Sequence, residues 1–122
     1  MSAVIDHVTL NVADIDGAKA FYEAALEPVG YELAMDFVGG AGFAADCKPD
    51  FFLAERGEPS SPVHIAFKAA DRKTVDAFHE AALDAGGIDN GEPGIREQYH
   101  ANYYGAFIHD LDGNNVEAVC QR

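Results

Sequence analysis

His7-Val-Thr-Leu-Asn-Val-Ala-Asp14 and His64-Ile-Ala-Phe-Lys-Ala-Ala-Asp71 stand 57 positions apart. Each is followed at the same distance by a second matching stretch, Ala20-Phe-Tyr-Glu-Ala-Ala-Leu26 and Ala77-Phe-His-Glu-Ala-Ala-Leu83. Over residues 7–30, ten of twenty-four positions are identical at that offset, where chance gives about one or two. Such a repeat means one supersecondary unit used twice. The register resumes with Phe43-Ala-Ala-Asp46 over Phe107-Ile-His-Asp110 at an offset of 64, which places seven extra residues in the second copy between Gly87 and Tyr103. They fall in IDNGEPGIREQYHAN, whose Gly, Pro and Asn read as a long, partly irregular loop, and long loops on compact domains often carry function.

From Val4 to Val12 the chain alternates, with Val8, Leu10 and Val12 on one face and His7, Thr9 and Asn11 on the other, the period of a half-buried strand. Asp14 and Asp71 stand where N-caps belong. Ala18, Phe21, Tyr22, Ala25 and Leu26 follow at helical spacing, as do Val75, Phe78, His79, Ala82 and Leu83 in the second copy. Gly30 and Gly87 are read as the residues just past the two helices. Short apolar runs come next: Tyr31–Val38, Gly42–Asp46 and Phe51–Ala54, then weakly Ile88–Asn90, followed by Tyr103–Ile108 and Asn115–Cys120. Asp112-Gly113 marks a hairpin turn between the last two.

Each half therefore reads β-α-β-β-β. The expectation is an α+β fold of two tandem βαβββ modules, about 1–58 and 62–122, within a single domain. A module of about 60 residues is marginal alone, so the two should share burial, forming a curled mixed sheet around a cavity with the helices outside.

The 122 residues, 48% apolar and 24% charged, suit a single folding unit. A net charge of −13 with no cluster of Lys or Arg argues against nucleic acid and anionic membranes as partners. No signal-like or spanning segment is read, which points to the cytoplasm. There Cys47 and Cys120 would stay thiols and act as small packing residues.

With Val8, Leu10, Val12, Ile65 and Phe67 turned to the helices, His7 and His64 point to the opposite face of the sheet. On the last strand Val116, Ala118 and Cys120 form the apolar stripe, which puts Glu117 on that same opposite face. Two imidazoles and a carboxylate are what a catalytic divalent metal uses, leaving part of its sphere for water or substrate. The same residues singly would also serve as surface or hydrogen-bonded groups. At the offset of 64 the first-module counterpart of Glu117 is Leu53, which binds no metal, so one site per chain is expected.

HVTLNVADIDGAKAFYEAAL, VHIAF and YYGAFIHDLDGNNVEAV together resemble the vicinal oxygen chelate superfamily, the glyoxalase / bleomycin-resistance / dioxygenase group, over essentially the whole chain. The resemblance implies paired βαβββ modules around a cavity and a divalent metal (Zn, Mn, Fe, Ni or Co) held here by His7, His64 and Glu117. It further implies a Lewis-acid metal chelated by vicinal oxygens of a small substrate. Glyoxalase I members use four protein ligands including two carboxylates, and the chain departs from them at Leu53. A His/His/Glu site looks more like the fosfomycin-modifying transferases or the dioxygenases.

The reading is thus a glyoxalase-like metal-dependent lyase, isomerase or transferase, and less readily a ring-cleaving dioxygenase. The alternative is a metal-free drug-binding protein of the bleomycin-resistance kind. A homodimer is expected from open sheet edges and exposed aromatics, and in some relatives the ligands come from two chains.

Tyr104 and His100, in or beside the extra loop with Tyr103, are candidate catalytic proton donors or cavity walls; packing is the competing reading for the tyrosines. Thr9, Asn11 and Lys68 share the face of the histidines. Lys68, Arg56 and Arg96 are the candidates for an anionic substrate such as a glutathione adduct. His79 reads as packing, His109 as solvated, and Asp110 with Asp112 as turn chemistry.

Overall fold

The computed structural model describes residues 3–60 and 62–122; Met1, Ser2 and Ser61, the last within the link between the halves, lie outside the described residues. The first half runs β1 (Val8–Asn11), α1 (Ile15–Leu26), β2 (Glu32–Phe37), β3 (Gly40–Ala44) and β4 (Phe51–Ala54). The second repeats the order as β5 (His64–Lys68), α2 (Arg72–Asp84), β6 (Ile88–Ile95), β7 (Tyr104–His109) and β8 (Asn115–Cys120). The predicted βαβββ modules are both present.

Each module builds its own four-stranded mixed sheet, ordered β1-β4-β3-β2 and β5-β8-β7-β6. The first and last strands of a module pair in parallel and the others antiparallel. The sheets do not close: the described strands hydrogen-bond only within their own module. What joins the halves is side-chain packing. All five predicted apolar positions of α1 are buried, and of the α2 set only Leu83 stays exposed. α1 lies against α2, and one hydrophobic cluster takes in Leu10, Phe43 and Phe51 from the first sheet and Phe67, Ile108 and Val116 from the second. Phe51 meets Phe67 edge-on at 5.3 Å and Tyr22 at 5.0 Å.

Two boundaries differ from expectation. The stretch read as a weak strand and an irregular loop contains an eight-residue strand, β6, whose register against β7 shifts between Asp89 and Gly91 and again between Gly91 and Gly94. These bulges absorb extra residues without ending the ladder, and Pro93 is tolerated because β6 is an edge strand. Past α2 the left-handed residue is Gly86 (φ +108), not Gly87, and past α1 Gly30 (φ +92) lies beyond the cap residue Glu27. Asp71 accepts from the Thr74 N–H as an N-cap, whereas Asp14 has extended backbone but makes no such bond.

Asp110 is buried in the turn between β7 and β8. It accepts from the backbone N–H of Asp112 and Asn114, from Asn114 Nδ2 and from the Tyr22 phenol. The predicted turn chemistry thus also ties the second module's last hairpin to α1.

Candidate metal centre

Glu117 sits in the middle of β8 and is wholly buried although it faces away from the hydrophobic core shared by Val116, Ala118 and Cys120. Its cover comes from β7 and the loop before it. Phe107 is its cross-strand partner, and Gly105 is so close that a Cβ there would stand 3.3 Å from Glu117 Oε2. Both carboxylate oxygens are engaged: His64 Nε2 lies 2.6 Å from Oε1, and the Tyr103 phenol donates to Oε2. The His64 side chain is 53% exposed, so the pair is reached from the His64 side. Burial and the Glu117 carboxylate push the Tyr103 phenol well above its ordinary pKa.

The pair is framed by a pinned loop, residues 96–103. The Arg96 N–H donates to the Tyr103 carbonyl at 2.7 Å, and the Tyr99 and His100 N–H groups donate to the Arg96 carbonyl. Tyr99 packs on Tyr103 with ring centroids 5.0 Å apart. The Arg96 guanidinium lies over Phe107 at 5.3 Å, and Phe107 in turn lies 6.1 Å from His64.

The other expected residues are placed differently. His7 belongs to the first module, exposed, with Nδ1 2.7 Å from Asp6 Oδ1 and its ring 5.5 Å from Phe52. Hydrogen bonds from Lys48 and then His7 hold the Asp6 carboxyl below its usual range. Among the described residues no three His, Cys, Asp or Glu side chains are grouped to hold a metal ion, so one chain supplies His64 and Glu117 together and His7 apart. Tyr104 donates to Asp76 on α2 at 2.7 Å, with the Arg72 guanidinium over its ring. His100 is exposed, and its Nδ1 accepts from the Asn102 N–H. The phenol that meets the carboxylate is that of Tyr103.

Thr9 and His64 line a common cleft of about 400 Å³ between β1 and β5 with Ser60, Val63 and Ala66. Lys68 lines a second cleft with Tyr31 and Asp50, and Asn11 meets Ser60 through its backbone. His79 is buried against Asp89 at 2.9 Å. His109 is partly buried, not solvated, with Nδ1 lacking a partner.

Strand pairing also corrects the repeat's register. Thr9 pairs with Phe52 and Ala66 with Glu117. Thr9 and Ala66 are 57 apart, so the counterpart of Glu117 is Phe52 at an offset of 65, not Leu53 at 64, and the second copy carries eight extra residues. Leu53 is buried in the core, while Phe52 lies beside His7 as Glu117 lies beside His64. A one-residue slip changes the face of every side chain, which a sequence offset broken by a long insertion did not reveal. Neither residue is a metal donor, so the first module offers no carboxylate at the place of Glu117.

A family model described as Glyoxalase/Bleomycin resistance protein/Dioxygenase superfamily matches residues 4–118. The chain is 31% identical over 118 residues, 93% of its length and 77% of the relative's, to the metallothiol transferase FosB of Shouchella clausii (strain KSM-K16). Among solved structures it is similar to a glyoxalase/bleomycin resistance protein from Albidiferax ferrireducens T118 (TM-score 0.81, 26% identity, covering 96% of this chain and 98% of that one). It is also similar to a glyoxalase/bleomycin resistance protein/dioxygenase family enzyme from Burkholderia phytofirmans PsJN (TM-score 0.76, 18% identity, 98% and 100%).

Proposed function

Because the chain belongs to the Glyoxalase/Bleomycin resistance protein/Dioxygenase superfamily, we propose that it is a glyoxalase-like, metal-dependent enzyme of transferase, lyase or isomerase type acting on a small oxygenated substrate. The observation that carries this reading is the contact of the half-exposed His64, through Nε2, with Oε1 of the wholly buried Glu117. Burying a carboxylate is costly without strong partners, and the site it occupies adjoins a cleft. An imidazole and a carboxylate, converging at the edge of that cleft, fit a divalent cation.

His64 and Glu117 would hold the metal, and His7 would supply the third donor from a second copy of the chain in a homodimer, since one chain keeps it apart from the pair. The metal supplies a Lewis acid for vicinal substrate oxygens. The cleft beside His64, lined by Thr9 and Ser60, would seat the substrate. Arg96, close to His64 through Phe107, would attract an anionic group on it. Of the predicted proton donors, His100 would reach a ligand through its Nε2, its Nδ1 being held by the Asn102 N–H, whereas Tyr104 would first have to leave Asp76. The relative named a metallothiol transferase supports the transferase type among the three. We place the protein in the cytoplasm as one domain with its modules meeting near residues 58–62; among the described residues no helix is long and apolar enough to cross a membrane, and Cys47 and Cys120 are unpaired thiols.

A metal-free ligand-binding protein is the second reading, favoured because among the described residues of one chain no third His, Cys, Asp or Glu is grouped with the pair. Elemental analysis of untagged protein prepared without chelator separates the two. The enzyme reading expects close to one equivalent of a divalent metal per chain, lost in His64→Ala and in Glu117→Ala. A wild type that takes up no metal even after reconstitution leaves the binding protein.

A further inference from the structure

A buried carboxylate has two oxygens to satisfy, and in Glu117 they are committed to different elements. Oε1 faces His64 on β5, while Oε2 accepts from Tyr103 at the end of the loop. That loop belongs to the insertion that distinguishes the second module. In the first, β2 and β3 are joined by Val38 and Gly39 alone, and Phe52 stands in place of the carboxylate. The phenol is not free to drift, since the Tyr103 carbonyl is fixed by the Arg96 N–H and the ring by Tyr99. Gly105 completes the fit: a Cβ there would lie 3.3 Å from both Oε2 and the Tyr103 ring, so a side chain at this position would press phenol and carboxylate out of place by a few tenths of an ångström.

We propose that Tyr103 is a positioning residue of this centre, holding Glu117 Oε2 so that the carboxylate offers Oε1 alone, beside His64 Nε2, to a divalent cation. This rests on the metal-site reading above. Partners that orient metal ligands in this way typically change metal affinity by about 10- to 100-fold when removed. Without the phenol Glu117 is free to turn and engage through both oxygens.

The test uses Co²⁺ alone as probe on full-length, metal-stripped wild type, Tyr103→Phe, Gly105→Ala and Glu117→Ala. Binding is followed by calorimetry and the visible Co²⁺ spectrum, and the oxygens around the metal are counted by X-ray absorption. Tyr103→Phe is expected to bind about 10- to 100-fold more weakly, with an altered spectrum and an added carboxylate oxygen, and Gly105→Ala to shift the same way while keeping every donor. Tyr103→Phe with wild-type affinity and spectrum overturns the proposal; should that variant not fold, an unchanged Gly105→Ala does so. Wild type that binds no Co²⁺, or Glu117→Ala that binds as well as wild type, removes the metal site itself and the proposal with it. Wild type that binds through Glu117 yet is indifferent to both changes removes the role of Tyr103 alone.

Discussion

Tyr31 donates its phenol to Asp50 at 2.9 Å and packs edge-on against Phe67. Burial, the hydrogen bond to Asp50 and the negative charges of Asp50 and Asp46 push it up to about 12. The proton is therefore held more tightly in the folded chain than in the unfolded one, whose tyrosines titrate near 10. The stabilisation is fully present below pH 10 and is lost as pH rises through 12. Chemical-denaturation midpoints measured from pH 9 to 12 should fall for the wild type and fall less steeply for Tyr31→Phe. Tyr22, Tyr103 and Tyr104 are raised in the same direction, so some slope should survive the substitution. An identical decline in both proteins would contradict the assignment to Tyr31. The four phenols share a pattern, each donating to a carboxylate (Asp110, Asp50, Glu117 and Asp76), which is one way an acidic chain satisfies its carboxylates with few Lys and Arg residues.

Among the elements, α2 shows how its end is decided by backbone conformation and not by space. Gly86 has φ +108, and a Cβ added there would meet only a Leu111 methyl carbon at an ordinary 3.6 Å. Crowding therefore costs little, and strain dominates: a non-glycine residue at such a φ loses about 1–2 kcal/mol. Gly86→Ala should lower unfolding free energy by about that amount in urea with an unchanged denaturant slope, and a neutral result would show that the turn relaxes. The helices themselves were legible because their apolar positions repeat at helical spacing and were buried as expected at nine of ten positions. Strand β6 was not legible beyond its first residues, because Gly91, Pro93 and Gly94 break the alternation and the strand persists through bulges against β7.

For the whole molecule, the arrangement of the modules decides what a single chain can do. The two sheets share a core through Phe51 and Phe67, yet His7 is not grouped with His64 and Glu117. If a second copy completes the site, a heterodimer of His7→Ala and Glu117→Ala chains carries one site with both lesions and one with neither. Isolated mixed dimers should then regain one metal ion per dimer while each parent binds none. Ligands drawn from one chain would leave a lesion in every site, and no recovery would be seen.

From the sequence alone came the duplication, the order βαβββ in each half, and the face of His64 and Glu117, because helical and strand periodicities are local and survive in a single chain. Tertiary structure decided three things. It chose Tyr103 over its neighbour Tyr104, since successive residues point to opposite sides and only the closed loop fixes which side meets Glu117. It set Phe52 opposite Glu117 in the repeat, since pairing register depends on the partner strand. And it kept His7 apart from the pair, since the separation of two modules depends on how their cores pack, which no local pattern records.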